Sequence, residues 1–438
     1  MSMLRLIPAL MVLFSALPGR AEVAIQEVTS PGGLTAWLVE EHGIPFTAME
    51  IRFEGGTSLD LPGSRGATNL MAALLEEGTG DLDSQGFAAA RDALAAQFSF
   101  SAGQDTVGVS ARFLTENRDK AVDLLRQAIL APRFDADAVE RVRGQVLAGI
   151  ASGAKDPETI ASQTFDALAY GDHPYGSPGD GTAESVAKLT RDDMLDAHRA
   201  TMTRDRMFVS VVGDISAAEL GPLLDHLLGD LPDVGRQMPG QAKWLLDGGV
   251  TVKDFATPQS VLVFGHEGIR RDDPDFFAAF ILNEVLGGSR FTARLMTEVR
   301  EKRGLTYGIS TYLAPMDHGA MMLGQMATAN GTVGQSIDLI RAEWARMAKD
   351  GITADELAAT KTYLTGSYPL RFDGNGQIAD ILVGMQQEGL PVDYAVTRNA
   401  KIEAVTLADV KRVAARLLQP EKLHFVVVGQ PDGVVSTN

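Results

Sequence analysis

The 438-residue chain has no cysteine, so neither a disulfide framework nor a lipidated N-terminal cysteine is open to it. Histidine is scarce and scattered. The seven, His42, His173, His198, His226, His266, His318 and His424, include no pair at i, i+3 or i, i+4. Those are the spacings that set two imidazoles on one helix face for a metal. His266 and Glu267 are adjacent, but neighbours on a strand point to opposite faces, and His173 reads as a brace for its own loop. No metal site is expected from them. Positive charge is also short: Lys and Arg number 39 against 57 Asp and Glu, a net charge of −18. This argues against nucleic acid or an anionic membrane surface as partner. The turn Gly287-Gly288-Ser289-Arg290 lacks the Lys-Ser/Thr of a phosphate loop and a strand directly before it, and reads as a helix-ending turn. No Ser-His-Asp arrangement has a recognisable local motif.

What the chain does have is length and export signals. It is too long for one ordinary core and suits two domains, and 45% apolar with 22% charged residues is a soluble globular composition. Residues 1–21 read as a secretory signal. Arg5 gives the basic start, residues 6–17 form a mostly apolar run too short to span a bilayer, and Gly19-Arg20-Ala21 ends in small residues suited to cleavage after Ala21. Removing Arg5 and Arg20 takes the mature charge to −20. The expected location is the periplasm of a bacterium, or outside the cell, with no membrane insertion after cleavage.

The chain also repeats. Thr190-Arg191-Asp192-Asp193 and Thr406-Leu407-Ala408-Asp409 stand 216 residues apart, and both are Thr-x-x-Asp capping boxes. The same offset, without a gap, pairs Met207-Phe208-Val209-Ser210-Val211-Val212-Gly213 with Leu423-His424-Phe425-Val426-Val427-Val428-Gly429, each a buried strand by composition. Less cleanly, Ala48-Met49-Glu50-Ile51-Arg52-Phe53 pairs with Ser260-Val261-Leu262-Val263-Phe264. A long unit present twice predicts two similar α+β domains. The boundaries expected are 22–232 and 250–438, with a Gly- and Pro-rich linker at 233–249. Period-two alternation at 97–103 and 106–113 predicts an antiparallel pair with one wet face, followed by helices at 117–130 and 135–150.

One stretch organises the rest. In Arg65-Gly66-Ala67-Thr68-Asn69-Leu70-Met71-Ala72-Ala73-Leu74-Leu75-Glu76-Glu77-Gly78-Thr79, leucine and methionine recur at i, i+4, and Gly78 suits a helix C-terminus. The stretch resembles the zinc-binding helix of the pitrilysin/insulinase family of metallopeptidases, whose His-x-x-Glu-His motif has a glycine before it and Gly-Thr after. Three further stretches carry the resemblance in order: Gly171-Asp172-His173-Pro174-Tyr175-Gly176, the strand 208–214, and Arg300-Glu301-Lys302-Arg303-Gly304-Leu305-Thr306-Tyr307-Gly308. Aligned on Gly66 and Gly78-Thr79, the family's two histidines fall on Asn69 and Ala73, and its general-base Glu falls on Ala72. The third ligand, a Glu roughly 76 residues beyond the second His, falls on Gly149. Asn, Ala and Gly cannot hold zinc.

The resemblance implies two similar α+β domains, each a mainly antiparallel sheet with helices packed on it, closing like a clam. It implies that Arg300 and Tyr307 match the family's substrate-gripping Arg and Tyr, seven residues apart, which stabilise the oxyanion opposite the zinc. It also implies a division of labour. This chain would hold no cofactor, and a related zinc-bearing subunit would complete a two-chain peptidase acting on extended peptides by β-strand addition. The alternative is a structural or peptide-binding protein with this fold and no part in catalysis. On spacing alone, Arg300 could make a surface ion pair and Tyr307 could fill a strand core.

Overall fold

Alternation decides where the strands form. In Thr106–Leu114, Val107, Val109, Ala111 and Phe113 are buried while Gly108, Ser110 and Arg112 turn to the other face. The computed structural model describes residues 24–437, so the expected signal segment 1–21 lies outside the described residues. The strands are β1 (Gln26–Thr29), β2 (Thr35–Glu40), β3 (Phe46–Glu54), β4 (Gly78–Thr79), β5 (Leu82–Asp83), β6 (Gln97–Ala102), β7 (Thr106–Leu114) and β8 (Met207–Gly213). The second half adds β9 (Gly249–Asp254), β10 (Gln259–Glu267), β11 (Ile309–Met316), β12 (Gly319–Ala329) and β13 (His424–Gly429).

Two large sheets result, which share one topology apart from the added edge strand β1, and β4 with β5 forms a separate two-stranded pair. The first runs β1-β2-β8-β3-β7-β6 and the second β9-β13-β10-β12-β11. In each, one pair is parallel, β2 with β8 and β9 with β13, and the other pairs are antiparallel. The register repeats as well. Val211 lies opposite Leu38 and Met49, and Val427, 216 residues on, lies opposite Val252 and Leu262. The two halves are therefore one α+β fold used twice, as the repeat predicts. Both expected capping boxes form: the Thr190 hydroxyl accepts from Asp193 N–H and the Thr406 hydroxyl from Asp409 N–H.

Each sheet is covered on one face by helices of its own half. In the first half, Leu70, Met71 and Leu74 of helix Ala67–Leu74 join Leu125 and Ile129 of helix Arg118–Leu130 against Ile51, Phe53 and Val109. The other face is covered by a helix from the opposite half. Helix Pro157–Tyr170 crosses to β10 and β13, where Phe165 is fully buried with its ring 6.1 Å from Trp244 and 6.4 Å from His424. Reciprocally, helix Asn375–Gln387 crosses to β3 and β8 and packs Ala379, Leu382 and Met385 on Trp37, Ala48 and Val212. Polar contacts pin that crossing: Ser210 Oγ donates to the Ala379 carbonyl (2.6 Å), Gln386 Nε2 donates to the Val209 carbonyl (2.8 Å), and Arg52 pairs with Asp380 (2.6 Å). No helix among the described residues is long and apolar enough to cross a membrane.

The helix of the organising stretch is shorter than its pattern suggests. It ends at Leu74, and Gly78 lies beyond it in β4, paired with Asp83. Its φ of +123° serves that tight strand turn, where a Cβ would meet the Leu82 carbonyl oxygen at 3.0 Å.

Candidate functional site

The helix Ala67–Leu74 keeps an elaborate seating. Gly66 opens it at φ +92°, and a side chain there would strike the Asp180 carbonyl oxygen at 2.6 Å. The buried Asp60 carboxylate accepts from Gly66 N (2.8 Å), Thr68 N (3.0 Å) and Thr68 Oγ1 (2.6 Å), and so caps the orphan amides of the first turn. Burial pushes the Asp60 carboxyl up, and those three hydrogen bonds oppose it. Arg65, also buried, donates to the carbonyls of Thr57 (2.7 Å) and Pro174 (2.8 Å), tying the helix entry to the His173–Gly176 turn. There His173 Nδ1 accepts from Tyr175 N (3.2 Å) and Nε2 meets the Gly240 carbonyl (3.1 Å), so this histidine braces its loop. Past the helix, Arg141 of helix Ala136–Gly153 grips the Glu77 carboxylate through both Nη atoms (2.9 and 2.5 Å) and holds it below the usual carboxylate range.

The four chemical positions within this seating are bare. Asn69 is half-buried, Ala72 buried and Ala73 exposed, all on the one helix. Gly149 lies exposed on helix Ala136–Gly153, which packs against it, and open space surrounds the point where a Cβ would stand. Ala72, Ala73 and Gly149 offer no donor atom, so these residues do not fit zinc. Among the described residues no group of three or more His, Asp or Glu is placed to hold a metal ion. His266, the nearest to a metal pair in sequence, is a core residue: Nδ1 donates to the Glu267 carbonyl (2.7 Å) and Nε2 accepts from Trp344 Nε1 (3.0 Å). Burial lowers its basicity.

Arg300 and Tyr307 sit in the second half. Arg300 lies on a six-residue π-helical segment, Met296–Glu301, a wide turn that often marks functional sites. It makes no ion pair among the described residues; its guanidinium stacks 4.9 Å from the ring centre of Phe291, itself 68% exposed. Tyr307 stands in the loop before β11 and is 89% exposed. Neither the surface ion pair nor the strand core open to them on spacing alone is what they form. Arg303, three residues along, is engaged elsewhere, donating to the Glu298 carbonyl (2.7 Å) and carboxylate (2.9 Å). Hydrogen bonds from Lys302 and Arg303 hold the Glu298 carboxyl down to about 2.

Tyr307 and Phe291 line one cavity of about 470 Å³, between the sheet face at Val261 and Val263 and the crossing helix, which contributes Glu158 and Ser162. Phe291 follows the Gly287-Gly288-Ser289-Arg290 turn, which ends helix Phe276–Leu286 as its sequence suggests. Phe291, Glu158 and Ser162 carry no sequence motif. An aromatic residue just after a glycine-rich turn was the one available signal. The arrangement provides an exposed phenol, a guanidinium braced on an aromatic ring, and a wall able to receive a chain of modest size.

Known proteins can be set beside this geometry. The family profile described as Insulinase (Peptidase family M16) matches residues 37–182, and that described as Peptidase M16 inactive domain matches 188–364. The non-peptidase homolog YmxG of Helicobacter pylori is 26% identical, over 89% of this chain and 90% of its own. An uncharacterized zinc protease of Mycobacterium leprae is 30% identical, over 77% of each chain. Among solved structures, a peptidase M16 inactive domain from Pseudomonas fluorescens superposes with a TM-score of 0.87 at 28% identity, covering 94% of this chain and 99% of that one.

Proposed function

The chain belongs to the insulinase (M16) family of peptidases, as a member without the family's zinc-binding residues, and from that premise we propose that it is the non-zinc subunit of a two-chain periplasmic peptidase. In this reading it binds extended peptide and lends Arg300 and Tyr307 to a related, zinc-bearing partner. The observation that carries the reading is the contrast on helix Ala67–Leu74. The seating by Asp60, Arg65 and Gly66 is formed, while Ala72, Ala73 and Gly149 offer no donor atom and an amide, Asn69, stands where the family has a histidine.

Arg300 and Tyr307 suit the role by type and setting. A guanidinium and a phenol are hydrogen-bond donors of fixed geometry, and donors preorganised toward a developing oxyanion give the largest usual catalytic term. Tyr307 is exposed in the isolated chain, and Arg300, half-buried, carries no ion pair among the described residues, so both can meet a substrate carbonyl held between two subunits. Export is part of the proposal: processing after Ala21 would give periplasmic material whose N-terminal sequencing begins at Glu22, and a cytoplasmic product retaining Met1 would refute it.

The test is co-expression with a related chain that bears His-x-x-Glu-His, encoded beside it. The pair should co-purify and hydrolyse a quenched fluorescent peptide, while this chain alone should not. A pair that assembles but hydrolyses no better than the partner alone would reduce this chain to a structural or peptide-binding role.

A further inference from the structure

A larger cavity, about 780 Å³, opens beside the first and shares Gly288, Ser289 and Ser310 with it. It lies where the two halves meet, between helix Phe276–Leu286, β11 and the crossing helix Asn375–Gln387. Its size falls within the range of ligand pockets. Phe276, Phe280, Ile381 and Leu390 make much of its wall apolar.

Its charges do not cancel. Three carboxylates line it, and each faces a cation: Asp380 pairs with Arg52 (2.6 Å), Glu388 faces Arg271, and Glu284 faces Arg290. Two guanidiniums remain, Arg371 and Arg398, and neither makes an ion pair among the described residues. This is unusual in a chain of net charge −18. Arg398 is buried on helix Tyr394–Ala404, donates to the Leu364 carbonyl (3.0 Å), and stacks 4.3 Å from the ring centre of Tyr368. Burial, with the Arg371 charge adding to it, holds the Arg398 guanidinium below its ordinary range. Tyr368 and Arg371 share the turn Tyr368–Arg371. The Tyr394 hydroxyl already accepts from Arg271 (2.8 Å), so its own proton is free to be donated. Two cations without carboxylates and two phenols thus line a pocket whose wall is in part apolar.

We propose that this cavity receives the free C-terminal carboxylate of a bound peptide, held by Arg371, Arg398 and the two tyrosines, with its last apolar side chain against Phe276 and Phe280. An α-carboxylate beside an apolar side chain matches both halves of the wall, whereas a bare phosphate would leave the apolar part unused. Because the cavity joins the one lined by Tyr307, a peptide anchored by its end runs on past β11 toward Tyr307. The proposal deepens the peptide-binding reading and rests on it.

The isolated mature chain suffices for the test. A short N-terminally fluorescein-labelled peptide ending in leucine is titrated by anisotropy, as the free acid and as the C-terminal amide. The acid should bind about tenfold or more tightly, the usual worth of hydrogen bonds to a charged group. Arg371→Ala combined with Tyr368→Phe should erase the difference, while Arg371→Lys should keep part of it. Arg398 supports the Leu364 carbonyl and is left intact so that folding is preserved, and circular dichroism verifies the fold of each variant. Equal binding of acid and amide, or a difference that survives the double variant, would overturn the proposal. So would displacement of the peptide by decanoate at similar concentration, which would make the ligand a fatty acid. No partner is needed. A chain that prefers the free acid but adds nothing to a partner's hydrolysis would keep this site and lose the subunit role; the reverse result would do the opposite.

Discussion

Truncating Phe165 to alanine tests how the two halves are joined. Phe165 comes from the first half but is buried on the second half's sheet, among Val263, Leu323, Val426 and Val428. Replacing a buried phenylalanine by alanine costs about 3–5 kcal/mol, the larger values arising where the surroundings cannot collapse into the gap. One wall here is a five-stranded sheet and the other is the Trp244 ring, so a loss of about 4 kcal/mol is expected. Leu168 on the same helix, 37% exposed, is the control, and Leu168→Ala should cost under about 1 kcal/mol. Urea unfolding can be followed by far-UV circular dichroism and by tryptophan fluorescence in variants that keep only Trp37, for the first half, or only Trp344, for the second, the third tryptophan being Trp244 beside Phe165. The exchanged helices predict that both signals shift together to lower urea. Two separate transitions of which one moves, or a loss under about 1 kcal/mol, would refute the idea that the crossings bind the halves into one cooperative unit.

Three further outcomes are expected. Asp166, on the same crossing helix, has its carboxyl raised by burial to about 6, so its stabilising contribution is full below the unfolded value near 3.8 and is lost as pH rises through about 6. Asp166→Asn should therefore match the wild type at pH 4 and exceed it by up to about 3 kcal/mol at pH 8 in urea titrations; a pH-independent difference would contradict this. Asp60→Ala removes three hydrogen bonds from the start of helix Ala67–Leu74 and should cost about 2 kcal/mol by thermal melting, with a loss near zero counting against the seating described for that helix. The fourfold variant Asn69→His, Ala72→Glu, Ala73→His, Gly149→Glu should bind zinc weakly by elemental analysis and turn over peptide poorly, because ligands need partners that orient them and two charged groups would enter a site built around alanines and a glycine. Full activity in that isolated chain would show that those supporting groups matter less than argued.

Much of the fold was legible because repetition and alternation are local signals. The offset of 216 between Val211 and Val427 holds in the sheets residue for residue, and the alternation of 106–113 became β7. The exchange of helices was not legible. Helix Pro157–Tyr170 buries Ala161, Phe165 and Ala169, but nothing in that pattern says which half's sheet receives them. The helix over 65–79 was over-read, since leucine and methionine keep their spacing to Leu75 while the chain must already turn into β4 to pair with β5. At the candidate site, Arg300 and Tyr307 were named from the family resemblance. Phe291, Glu158 and Ser162 were missed because they reach the same cavity from a turn and from the opposite half. The cluster of Arg371, Arg398, Tyr368 and Tyr394 was missed for a similar reason: it is assembled from a turn and a separate helix, with no motif in either.

The central claim, that this chain completes another subunit's active site, is tested most directly by hydrolysis in the reconstituted pair. Arg300→Ala or Tyr307→Phe in this chain should each lower kcat by about 10²–10³, the usual cost of losing one oxyanion donor. The double variant should fall less than the product of the two, and assembly and the partner's zinc content should be unchanged. Arg303→Ala should do little, because Arg303 is committed to Glu298. If Arg303→Ala hurts as much as Arg300→Ala, the effect is general charge and not a positioned donor; if neither Arg300 nor Tyr307 matters while the chain is still required for activity, the account is wrong and the chain is a scaffold.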